Sequence, residues 1–147
     1  MLFRSIVAKE SPRVLKAEFL RRVQPRFNQI KEDMIEEFMN HPVTREILGG
    51  PDAANESGTL DGITNLFAFI GFDKSEGGAK QIEPILRIFD QITIRDVGAA
   101  KGGRTFRVAF PSADDIWDVT PVPWASGTRS WAQGIETGLS GIGFFAT

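Results

Sequence analysis

His41 is the single histidine of a 147-residue chain that holds no cysteine. It directly precedes Pro42, a setting that suits a cap or a turn better than a general base, which must lie within hydrogen-bond reach of a substrate proton. One histidine, no thiolate and acids placed mainly on helix faces leave no ligand cluster with metal-site spacing. The stretch Gly98-Ala99-Ala100-Lys101-Gly102-Gly103 lacks the Gly-Lys-Ser/Thr order of a phosphate-binding loop, and it joins two strand-like segments instead of opening a helix. Ser140, in Gly138-Leu139-Ser140-Gly141-Ile142, misses the nucleophile-elbow pattern by one position and has no Asp/His order to support it. No catalytic residue, cofactor or metal is expected. Arg95, Lys101, Arg104 and Arg107 offer phosphate contacts on one reading and the ordinary solvating charge of an exposed hairpin on the other.

Whatever the chain does must then be carried by how its elements are displayed. With 41% hydrophobic residues, 24% charged residues and a net charge of -2, it reads as one globular domain over 1–147, large enough for a core of its own. A charge balance this even disfavours general nucleic-acid or membrane-surface binding. Met1-Leu2-Phe3-Arg4-Ser5-Ile6-Val7-Ala8 is too short an apolar run for a signal peptide, and no stretch approaches the roughly 20 apolar residues of a membrane span. A soluble protein is expected.

Ser11 as N-cap and Pro12 at the first helical position open the clearest element. Leu20, Val23, Phe27, Ile30, Met34 and Phe38 recur at steps of three and four, which predicts an amphipathic helix over 12–39 with that stripe buried. Pro25, on the opposite face, predicts a kink or a short break. His41-Pro42 stops the helix, and residues 43–48 make one or two further turns. Gly, Pro, Asn, Asp and Ser dominate 49–62, an exposed loop. The apolar run 65–72 reads as a buried strand, and Ile82, Ile85, Leu86 and Phe89 as a helix in which Pro84 fits only a first turn. Residues 92–97 and 105–110 alternate apolar and polar, a β-hairpin over 92–110 with its turn at 98–103. Ser112 and Asp115 form a capping box for a helix to about 118. The class is α+β: a long N-terminal amphipathic helix packed on a small, mostly antiparallel sheet, with extended loops.

Two features point to assembly. The segment 121–147 combines Pro121, Pro123, Trp124, Gly127, Trp131, Gly134, Gly138, Gly141, Gly143 and the pair Phe144-Phe145, a mixture suited neither to an ordinary amphipathic helix nor to a regular strand. It reads as a docking segment, with Trp124, Trp131, Phe144 and Phe145 as anchors and Arg129 and Glu136 as orienting charges. The alternative is that both tryptophans close the core of their own subunit. The long helix also segregates its charge. Residues 1–31 hold Arg4, Lys9, Arg13, Lys16, Arg21, Arg22, Arg26 and Lys31 against only Glu10 and Glu18, whereas Glu32, Asp33, Glu36 and Glu37 close the helix, against the macrodipole preference for acids first and bases last. Either this is a solvated face, or Arg21 and Arg22 of one subunit meet acids such as Glu36 and Glu37 of a neighbour in a head-to-tail ring.

The strings His41-Pro42-Val43-Thr44-Arg45-Glu46-Ile47, Ser57-Gly58-Thr59-Leu60 with Asn65-Leu66-Phe67-Ala68-Phe69-Ile70-Gly71-Phe72, and Pro123-Trp124-Ala125-Ser126-Gly127-Thr128-Arg129-Ser130-Trp131 with Gly134-Ile135-Glu136-Thr137-Gly138-Leu139-Ser140-Gly141 resemble small virion proteins of tailed bacteriophages. The layout is similar to the tail-completion or neck (head-to-tail connector) family. That resemblance implies a structural virion protein, assembled in the host cytoplasm into a homo-oligomeric ring at the head-to-tail junction or the top of the tail. The implied partners are further copies of itself and adjacent neck, connector or tail-tube proteins. DNA would pass through the ring at most, without specific binding, and no membrane or cofactor would be involved. A tail-terminator or other tail-associated ring shares the same size and class, and a small cytoplasmic enzyme would need a deep pocket with convergent polar groups.

Overall fold

The computed structural model describes residues 12–127 and 129–138; Ser11, Phe144 and Phe145 lie outside them. Helix α1 (Pro12–Asn40) extends 29 residues, about 43 Å at 1.5 Å per residue. It is unbroken at Pro25, where the sequence predicts a kink or a short break. Pro25 and Arg21 are both exposed, so the Arg21 carbonyl that loses its donor faces water and the loss is mild. The predicted buried stripe is only half-buried at Leu20, Val23, Phe27, Met34 and Phe38, and Ile30 is 53% exposed. No described side chain of α1 is buried.

The described residues divide into two compact units: 12–34 with Thr93–Ala109, and Ile35–Ile92 with 110–138. In the first, strands β1 (Ile94–Ala100) and β2 (Gly103–Val108) pair antiparallel and only with each other, in the register Ile94↔Val108 and Asp96↔Phe106. Half-buried Ile94, Asp96, Arg104, Phe106 and Val108 alternate with exposed neighbours, as pleating requires. Phe106 stacks on Phe19 of α1, with ring centroids 4.2 Å apart and an interplanar angle of 11°. This places the hairpin's inward face on the helix, the predicted α+β arrangement.

The hairpin turn is tighter than predicted. β1 continues to Ala100, leaving Lys101 and Gly102 at the tip, with Gly102 at φ 91°. The register shifts between Asp96 and Gly98, a bulge that Gly98 accommodates at φ 112°. Asp96 holds that bulge: one oxygen accepts from Gly98 N at 2.9 Å and the other from Arg104 Nε at 2.8 Å. The Arg104 guanidinium, and next the Gly98 bond against some burial, keep the Asp96 carboxyl below its ordinary value. Arg104 is thereby engaged within the hairpin, which narrows the predicted phosphate-contacting set.

The second unit is helical. α2 (Pro42–Leu48) starts at His41, whose Nδ1 accepts from Val43 N at 3.3 Å, the capping role its place before Pro42 predicts. A short 3-10 turn, Gly50–Asp52, follows. The run 65–72, predicted as a buried strand, is instead α3 (Leu66–Ile70). Asn65 caps it by accepting from Ala68 N at 2.9 Å, and Gly71 ends it at φ 85°, so caps at both ends override a run whose apolar content suits either structure. α4 (Ala79–Asp90) carries Pro84 beyond its first turn, further in than predicted. The carbonyl deprived there belongs to Lys80, an exposed residue, as at Pro25. α5 (Ala113–Asp118) has the predicted capping box: Ser112 Oγ accepts from Asp115 N at 3.2 Å, and Asp115 Oδ2 accepts from Ser112 N at 2.7 Å. α6 (Trp131–Thr137) starts at Ser130, whose Oγ accepts from Gln133 N at 3.1 Å.

The core of this unit gathers Ile47, Leu66, Phe67, Ile70, Ile82 and Ile85 with Phe72, Val122 and Trp131. α2 and α4 meet at Gly78, where an added Cβ would lie 1.9 Å from the Ile47 carbonyl oxygen. Only glycine permits that backbone approach.

Candidate functional site

The predicted docking segment is more structured than its composition suggests. Val122 N donates to Arg129 O at 2.9 Å and Trp131 N to Thr120 O at 2.8 Å, closing 120–131 into a pinned loop with an antiparallel bridge between Pro121 and Ser130. The buried Thr120 and Ser130 hydroxyls lie 2.7 Å apart. Beyond the loop α6 forms over Trp131–Thr137, in a segment whose composition suits neither an ordinary amphipathic helix nor a regular strand. Gly134 sits buried in α6.

Both tryptophans pack on their own unit. Trp131 is 4% exposed and meets Phe72 edge-on, with centroids 5.7 Å apart at 89°. Trp124 is half-buried and donates from Nε1 to Ile70 O at 2.9 Å, stapling the loop to the end of α3. Trp131 belongs to the core of its own unit, and Trp124 packs against that core. Arg129 and Glu136 are exposed. Phe144 and Phe145 lie outside the described residues.

On α1, Arg21 and Arg22 are 72% and 75% exposed and both engage Glu18 of the same helix, at 2.9 Å and 3.0 Å. Those guanidinium bonds outweigh the opposing desolvation and hold the Glu18 carboxyl below its ordinary value. Exposed pairs of this kind are weak and exchange readily for other partners. Glu36 and Glu37 are also exposed.

Sequence reasoning missed Glu46. Its side chain is wholly buried, and its carboxylate accepts from Leu66 N at 2.6 Å, Ser57 N at 2.9 Å and Asn55 Nδ2 at 3.0 Å. Burial opposes the charged form, but the bonds from Ser57, Leu66 and Asn55 prevail and hold its pKa below the ordinary value. Asn65 adds bonds from Nδ2 to Pro51 O at 2.9 Å and Ala53 O at 2.8 Å. The loop predicted over 49–62 is therefore tied down from within, and it presents Ile63, 87% exposed, just beyond its end. The one signal in the sequence was Asn65 and Gly71 bracketing the apolar run as caps.

An open cleft of about 340 Å³ lies in the same unit, walled by Phe38, Ile47, Ile85, Phe89, Trp131 and Ile135. Its polar members are Thr44 and His41, and the His41 Nδ1 is occupied by the α2 cap. Among the described residues no group of three His, Cys, Asp or Glu side chains is placed to hold a metal ion, and no helix is long and apolar enough to cross a membrane. This cleft suits the burial of an apolar group, with no acid and base converging on it. Compared with protein-family models, curated proteins and solved structures, the chain matches none.

Proposed function

We propose that this protein is a structural subunit that works by assembling with copies of itself into a ring, as a tail-completion or neck protein of a tailed bacteriophage. The observation that carries the assembly reading is α1: 29 residues without one buried described side chain. Most helical stability in proteins comes from packing an amphipathic face, and a helix this long with its stripe only half covered calls for a neighbour. Its basic first half and acidic end supply complementary charge for such a contact. The apolar cleft, which brings no acid–base pair to a substrate, favours assembly over catalysis. The virion assignment rests on the resemblance of the 41–47, 57–72 and 123–141 segments.

Mass measurement of the purified full chain by analytical ultracentrifugation, with two-dimensional class averages from electron microscopy, tests the proposal. A closed ring of uniform copy number is expected. A protein that stays monomeric at tens of micromolar would refute it.

A further inference from the structure

The cleft and the segment that follows α6 match in chemistry. A cavity on the order of 150 Å³ takes one benzene-sized ring, and this cleft measures about 340 Å³, room for about two. Its apolar walls would hold an apolar occupant and would orient no charged one. Residues 137–147 carry no charge and hold Leu139, Ile142, Phe144 and Phe145, with Gly138, Gly141 and Gly143 among them. Four large apolar side chains on an uncharged arm gain from cover, and glycines let its backbone lie close against another surface.

We propose that the cleft of each subunit receives Phe144 or Phe145 from the arm of the neighbouring copy, an inference that rests on the ring reading above. Arm and cleft are different surfaces, one of each per chain, which is the heterologous arrangement that closes into a ring. Closure raises the effective concentration of each arm at the next cleft, so a contact weak in isolation holds within the assembly. Six residues can span at most about 20 Å, more than the about 10 Å of the seven-residue α6, so chain length alone would also allow an arm to return to its own cleft. The test must separate the two.

Because the chain has no cysteine, a Val43→Cys, Ala146→Cys double variant reports the contact directly. Val43 lines the cleft, and Ala146 adjoins Phe145 while leaving both rings in place. The full chain is oxidised mildly and run on a non-reducing gel, with its mass measured in parallel. A ladder of multimers that collapses with reductant, and is absent from either single variant, is expected. A single-chain band that has lost both thiols puts the arm in its own cleft and overturns the proposal. Full-mass rings that keep both thiols overturn the arm contact but leave the ring reading standing; a monomer that keeps both thiols removes both. A Phe144→Ser, Phe145→Ser variant adds a second readout: an unchanged melting temperature with assembly weakened about tenfold or more for each ring lost. A lowered melting temperature with ring mass unchanged would sink the proposal.

Discussion

Glu46→Ala should be among the most damaging single substitutions in this chain. The side chain is wholly buried and satisfies two backbone N–H groups and one side-chain amide, from Leu66, Ser57 and Asn55. Each buried donor left without a partner costs about 1–3 kcal/mol. Summed over three donors, and reduced because Ser57 and Asn55 lie nearer solvent, the expected loss is about 3–5 kcal/mol. Glu46→Gln keeps one acceptor oxygen for Leu66 and Asn55 but turns an NH₂ toward the Ser57 N–H, so a smaller loss of about 1–3 kcal/mol follows. Urea unfolding followed by circular dichroism gives both values, and limited proteolysis within 50–65 should show the loop released first. The folded-state pKa of Glu46 is depressed, so its stabilisation is fully present above the unfolded value of about 4.3 and is lost as pH falls through the folded value. The wild type should therefore lose more stability below about pH 4 than Glu46→Gln does. A Glu46→Ala protein within about 0.5 kcal/mol of wild type would refute this account, since among the described residues no other acceptor serves those three donors.

Gly78→Ala forces a Cβ to within 1.9 Å of the Ile47 carbonyl oxygen; overpacking against backbone costs about 1–3 kcal/mol or more, and a thermal melt should fall by several degrees. Trp124→Phe removes the bond to Ile70 O while keeping an aromatic ring, so about 1 kcal/mol should be lost in urea unfolding. Phe27→Ala, at a half-buried site, should cost the isolated subunit clearly less than Phe67→Ala, at a fully buried one, where about 3–5 kcal/mol is expected. Parallel melts at a concentration where the protein is monomeric check that order. Reversing Glu36 and Glu37 to Lys should leave the fold intact and weaken assembly in a salt-dependent way, read by sedimentation at two ionic strengths; unaltered assembly would return these residues to the solvated-face reading.

Local chemistry made much of this molecule legible from its residues alone. The extent of α1, the hairpin, the Ser112–Asp115 capping box and the His41 cap each follow from neighbours a few positions apart, where periodicity and turn chemistry act directly. Other features depend on contacts between distant residues. The apolar run 65–72 fits a strand or a helix until Asn65 and Gly71 are seen in place as caps. Trp124 and Trp131 looked like anchors for a neighbour, because composition cannot say which surface covers an aromatic ring; Ile70 and Phe72, more than fifty positions earlier, claim them. Glu46 stood in a surface-like string, and only the folding of 55–66 around its carboxylate made it a buried charge worth keeping. Its role, like the approach at Gly78 and the hollow behind Trp131, exists only once segments remote in sequence are brought together, because hydrogen bonding and close packing are satisfied by whatever atoms arrive in space.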